Sequence, residues 1–112
     1  MSDGLSTTQR ETIRRILSIF AHEIERVDIF GSRAKGTQRA NSDLDLVLHG
    51  VLDEAMVDRL WTMFHESNLP FSVDVKHYEQ TRYAPLRAHM DAVSTPLFTQ
   101  SDLLQVNPSG SE

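Results

Sequence analysis

Apolar residues recur at helical spacing from Ser6 to about His22, with Ile13, Ile16, Leu17, Phe20 and Ile24 on one stripe. This predicts a first helix, entered through a capping box of Thr8 with Glu11 or, alternatively, of Ser6 with Gln9. Val27–Phe30 favours strand and stops at a glycine. The apolar run Leu44–Leu48 reads as a buried strand closed by Gly50. Asp53 is placed to cap a second helix, whose inner face is Val57, Leu60, Trp61 and Phe64; Trp61 and Phe64 are expected in the core. Asn68-Leu69-Pro70 breaks that helix. From Phe71 to His77 the period changes to two: Phe71, Val73, Val75 and His77 share one face, and Ser72, Asp74, Lys76 and Tyr78 the other. A shorter helix is expected over Ala84–Ala92, with Pro85 in its first turn, and a last strand over Thr95–Thr99, kept to a sheet edge by Pro96.

Helices alternating with strands in this order predict an α/β domain with a small sheet. Periodicity leaves the direction of the strands open. The 112 residues are expected to form one domain over residues 1–100, followed by a polar, disordered tail over residues 101–112. The absence of cysteine excludes disulfides and thiolate metal sites and fits a reducing, cytoplasmic setting. The first residues lack a basic patch followed by an apolar stretch, so no signal peptide is expected, and no apolar run has the length of a membrane helix. A net charge of −5 argues against a broad nucleic-acid surface and leaves contact with a basic protein partner open.

The candidate chemistry lies in Phe30-Gly31-Ser32-Arg33-Ala34-Lys35-Gly36 and Ser42-Asp43-Leu44-Asp45-Leu46. Gly31 leaves room for a ligand against the main chain, and Ser32 offers a hydroxyl and an amide where a helical turn could begin. Amides at such a turn attract phosphate, although an ordinary strand-to-helix turn looks the same. Arg33 and Lys35 either touch phosphate or, for Arg33, brace the loop through an acid. Asp43 and Asp45 stand two apart, so their Cα atoms lie about 6.6 Å from each other on one side of a strand. Two such carboxylates repel each other and resist burial, and Mg²⁺ would relieve both costs. The plainer alternative is a loop acid beside a strand-edge acid. Asp74, on the polar face of a separate strand, either joins this pair or is simply solvated. The five histidines lack metal-ligand spacing. Tyr78 and Tyr83 are minor candidates for self-modification.

Gly31-Ser32, a ten-residue spacer and Asp43-Leu44-Asp45 resemble the signature of the DNA polymerase β-like nucleotidyltransferase superfamily. The longer strings resemble its minimal members, the MntA-type antitoxins, over about Val27 to Val75. The resemblance implies a small mixed sheet packed with helices. It further implies Gly31 and Ser32, with Arg33 and Lys35 nearby, on the nucleotide's phosphates, and Asp43 and Asp45 on Mg²⁺. Asp74 would be the third carboxylate, ligand to a second metal and proton acceptor. The implied activity is transfer of a nucleoside monophosphate from ATP to a hydroxyl. For MntA-type members that hydroxyl belongs to a tyrosine of a HEPN-domain RNase toxin of the HepT type, and modification silences the toxin. The alternatives are a non-catalytic antitoxin that occludes its toxin, and transfer to a small molecule. A domain of this size is expected to suit a partner that brings its own acceptor residue.

Overall fold

The computed structural model describes residues 3–36, 39 and 42–105. Its elements are α1 (Thr7–Leu17), β1 (Ile24–Phe30), α2 (Ser32–Lys35), β2 (Leu44–Gly50), α3 (Glu54–His65), β3 (Val73–His77), α4 (Ala84–Val93), β4 (Thr95–Thr99) and α5 (Gln100–Leu104). The strands form one mixed sheet in the order β3-β2-β1-β4. β1 runs antiparallel to β2 and β4, while β2 and β3 are parallel, joined by the α3 crossover.

Each boundary has a local cause. The α1 capping box is Ser6 with Gln9, so the first helix starts on the earlier of the two expected pairs. It ends at Leu17 and tightens into a 3₁₀ turn over Ser18–Phe20, short of the expected His22. Ile24 fits helical spacing, yet it belongs to β1, which therefore begins three residues before Val27. Pairing with Gly50 across the sheet decides it. That pairing also requires the glycine: a Cβ on Gly50 would lie 2.1 Å from the Glu23 carbonyl oxygen. Asp53 caps α3 by accepting from the Met56 amide, as expected.

One face of the sheet carries the core. Leu44, Leu46 and Leu48 are fully buried with Val27 and Ile29, and Ile13 and Leu17 of α1 and Leu60 and Phe64 of α3 cover them. Phe71, Val73, Val75 and His77 alternate inward as predicted. Trp61 departs from expectation: it is 50% exposed and stacks on His65 at the C-terminal end of α3. It lies one residue after the buried Leu60, about 100° further round the helix, which carries it off the buried stripe.

The opposite face holds Asp28, Val47 and His49, all on the same side of their strands as Asp45. Asp28 and His49 share a cavity of about 90 Å³ with the buried Met90 of α4. The stretch from Ser101, expected as tail, first forms α5. Thr99 and Asp102 cap that helix reciprocally, and Leu103 is buried in the core. The expected disorder of residues 106–112 concerns positions outside the described residues. Among the described residues, no helix is long and apolar enough to cross a membrane.

Candidate active site

The candidate residues meet at one end of the sheet, where β1 ends and the parallel strands β2 and β3 begin. Phe30 pairs with Asp45 across β1 and β2, which sets Gly31 beside the Asp45 side chain. Gly31 has φ 79° and ψ −150°, in the left-handed half of backbone space that favours glycine. A Cβ there would lie 2.6 Å from Asp45 Oδ2. The turn and the carboxylate are thus packed together, and only glycine lets them be. Ser32 opens α2, whose Ala34 and Lys35 amides return to the Gly31 carbonyl. Lys35 is exposed on this turn.

Asp45 faces Asp74 directly in the β2–β3 register, and Asp43 lies two residues before Asp45 on an exposed stretch. The Leu44 amide donates to the Ser72 carbonyl at 2.9 Å, tying the start of β2 to the residue that precedes β3. Burial raises the Asp45 pKa above its ordinary value; Lys76 opposes the shift, and the charges of Asp74 and Asp43 add to it. Lys76, two residues beyond Asp74 on the same strand face, forms an ion pair with the Asp74 carboxylate. Period-two alternation placed the two on one side, but their pairing escaped the sequence reading. Among the described residues, no three histidine or acidic side chains converge as a ready metal cage.

Mg²⁺ does not require such a cage. It is commonly held by one or two carboxylates, with waters and substrate phosphates as its other ligands. Asp43 and Asp45 supply hard oxygen donors, and the raised pKa of Asp45 records chiefly the cost of burying its charge, with Asp74 and Asp43 adding to it, a cost that a bound cation would offset. The donor set therefore fits Mg²⁺.

Arg33 takes the bracing role of the two left open for it, and it does so through carbonyls instead of an acid. Its guanidinium is buried and donates to the Ser42 carbonyl from Nε at 3.2 Å and Nη2 at 2.9 Å, and to the Asp3 carbonyl from Nη1 at 2.8 Å. It also lies over the Phe71 ring, 4.4 Å from the centroid. Burial lowers its pKa from the ordinary value, and the nearby charge of Asp3 counteracts this. Arg33 thereby holds the residue before Asp43. The Ser42 hydroxyl also accepts from the Arg39 amide at 2.7 Å.

A cavity of about 470 Å³ opens beside the acids. Asp43 and Asp74 line it together with Trp61, His65, Phe71 and Ser72. Further along the same face of the sheet as Asp45, buried Asp28 engages Arg26 at 3.2 Å and His49 at 3.1 Å. His49 stacks on Tyr78, whose hydroxyl donates to Asp91 at 2.7 Å. The sequence reading saw no special setting for Asp28. The cue is its placement between buried Val27 and Ile29, where the polar face of β1 is itself covered.

The fold and the glycine–carboxylate turn define a nucleotidyltransferase domain. The family model for the polymerase β nucleotidyltransferases matches residues 11–103, and the chain belongs to that family. Among solved structures, a toxin–antitoxin crystallised with AMP-PNP superposes with a TM-score of 0.66 and 24% identity, covering 85% of this chain and 78% of that one. An MntA–HpeT toxin–antitoxin, carrying two aspartate-to-glutamate substitutions, gives 0.64 and 20% over the same shares. A nucleotidyltransferase-like protein from Sulfolobus solfataricus gives 0.50 and 22%, covering 82% of this chain and 78% of that one. These likenesses establish the polymerase β-like fold. No curated protein sequence matches the chain.

Proposed function

We propose that this chain is an ATP- and Mg²⁺-dependent protein adenylyltransferase, the antitoxin of a toxin–antitoxin pair, whose target is a HEPN-domain RNase toxin. One observation carries the reading: Gly31 packs against Asp45, and Asp45 pairs with Asp74. A phosphate-type turn, a metal-type carboxylate and a third acid thus follow one another across three adjacent strands. The fold shared with toxin–antitoxin proteins, one of them crystallised with AMP-PNP, supports the choice of ATP and of a toxin partner. The net charge of −5 suits a basic, RNA-binding partner surface. The proposed setting is the cytoplasm.

In this reading Asp43 and Asp45 hold Mg²⁺, which would neutralise charge developing on the phosphates. The Gly31–Ser32 turn orients the β- and γ-phosphates, with Lys35 adding positive charge at the turn. Arg33 positions Asp43 by fixing the Ser42 carbonyl. Asp74, held in place by Lys76, accepts the proton of the attacking hydroxyl.

The test is incubation of the chain with α-labelled ATP, Mg²⁺ and the product of the adjacent gene. Label is expected on the toxin with the wild type and to fall at least about a hundredfold with Asp43→Ala/Asp45→Ala. Label only on a small acceptor would refute protein modification. A second reading is an antitoxin that occludes its toxin without catalysis, the net charge of −5 complementing a basic RNA-binding surface on the toxin. Undiminished neutralisation and binding by the double variant would decide for it.

A further inference from the structure

β3 is an outer strand of the sheet. In a parallel pair the N–H and C=O of one residue point to the same neighbour, and successive residues alternate sides. The Leu44 amide bonds to the Ser72 carbonyl, so Ser72, Asp74 and Lys76 face β2, and the main chain of Val73, Val75 and His77 faces outward. Exposed edges are often guarded by a lysine, but the Lys76 ammonium is held by the Asp74 carboxylate. The edge ends at a cavity of about 310 Å³ between α3 and the segment that follows β3. Resting on the proposed function only for the existence of a protein partner, we propose that this edge and cavity are the groove in which that partner docks. The occupant is an extended, basic segment that adds to β3 as a fifth strand and places a lysine or arginine side chain in the cavity.

The polar groups of the cavity decide the sign of its occupant. Its donors are used within the chain: the Lys76 ammonium by Asp74, the Gln80 amide by the Leu52 carbonyl at 3.4 Å, and the Thr81 hydroxyl by the His77 carbonyl at 2.9 Å. Its acceptors are not. Glu54 and Asp58, about one turn apart on α3, are exposed and make no hydrogen bond or ion pair among the described residues. Buried His77 directs Nε2 to the Gly50 carbonyl at 2.8 Å, which leaves Nδ1 an acceptor without a donor. Because Asp74 neutralises Lys76, the ammonium in the wall does not cancel the two carboxylates on α3. Such a lining calls for a cation that carries several N–H groups. Val57 and Leu86 supply apolar walls for the methylene stem of that side chain.

The strand edge supplies what charge alone lacks, a fixed direction. The outward main-chain groups of Val73 and Val75 have no partner among the described residues, and an added strand would satisfy them. β2 and α3 hold β3 from behind, so the edge is already in place for pairing. Neither Asp43 nor Asp45 lines this cavity, so a segment docked there leaves both open to nucleotide.

Hydrogen exchange on the full chain, alone and bound to the adjacent gene's product, tests the strand. The amides of Val73, Val75 and His77 are expected to exchange at least about tenfold more slowly in the complex. Unchanged exchange there overturns the proposal. Glu54→Lys/Asp58→Lys is expected to weaken the complex at least about tenfold, and Glu54→Gln/Asp58→Asn to weaken it less and flatten its salt dependence. The dissociation constant for Mg²⁺·AMP-PNP should stay within about twofold in both, since these positions lie away from the turn and the acid pair. Wild-type affinity for the partner in either variant overturns the proposal, and the neutral pair decides alone if the reversed pair does not fold. The peptide acetyl-Thr-Val-Arg-Val-Thr-amide, titrated into the ¹⁵N-labelled chain, is expected to shift Glu54, Asp58, Val75 and His77 saturably. The same peptide with glutamate in place of arginine should leave them unmoved, and an equal response to both, or to neither, overturns the proposal. Docking in this groove without label transfer would defeat the transferase reading and uphold the groove. If the adjacent gene's product does not bind at all, the toxin-partner reading fails and the peptide titration decides the groove.

Discussion

Asp45 is the residue on which the candidate site and its cost meet. Its folded-state pKa is raised above the ordinary carboxylate value by burial and by Asp74 and Asp43. The native state therefore holds this proton more tightly than the unfolded chain does, and stability from this group is fully present below the unfolded pKa of 3.8. It is lost as pH rises through the folded value. At neutral pH the ionised Asp45 thus weakens the fold, and Asp45→Asn is expected to raise the melting temperature of the metal-free protein while abolishing transfer. The check is thermal unfolding across pH 3 to 8, where the gap between variant and wild type should widen with pH. A constant gap would contradict the electrostatic origin. Gly31→Ala acts on the same contact from the other side. Its Cβ would lie 2.6 Å from Asp45 Oδ2 at a backbone φ of 79°, so both strain and displaced carboxylate follow. The expected result is a loss of about 1–3 kcal/mol in denaturant unfolding together with loss of nucleotide binding.

At the scale of elements, the loop before β2 is held from within. Arg33 makes three hydrogen bonds to main-chain carbonyls and lies on Phe71, so Arg33→Lys, which keeps the charge but loses the fork, should cost about 1.5–3 kcal/mol of stability. Chemical denaturation measures this. An unchanged midpoint accompanied by weaker nucleotide binding would return Arg33 to the phosphates. The sheet depends on β2, whose Leu46 is fully buried between β1 and β3; Leu46→Ala is expected to cost about 2–5 kcal/mol. Where the reading from sequence missed an element boundary, another element had intervened. Ile24 satisfied the helical period but was claimed by Gly50 across the sheet. Trp61 satisfied the spacing of α3, yet the core stripe closed at Leu60 and Phe64. The stretch from Ser101 looked polar, but the buried Leu103 and a reciprocal cap docked it on the core.

For the whole molecule, the proposed function is a statement about linkage. A ligand that binds only the native state stabilises it by about 2.7 kcal/mol at a hundredfold excess over its dissociation constant. Mg²⁺ with AMP-PNP should therefore raise the melting temperature of the wild type by several degrees and leave Asp43→Ala/Asp45→Ala unmoved. Differential scanning calorimetry checks it, and an equal rise in the double variant would place the nucleotide elsewhere. The chain by itself determined the alternation of helices and strands, the inward faces of β2 and β3, and the turn and acid pair, because these rest on local period, spacing and residue type. It did not determine that Asp74 would stand opposite Asp45, that Lys76 would hold Asp74, or that Arg33 would turn inward. Nor did it determine the cavity beside Trp61. Those depend on which strands pair and in what register, a choice made by the burial of apolar faces distant in sequence, and only the folded sheet brings that choice to one end of the molecule.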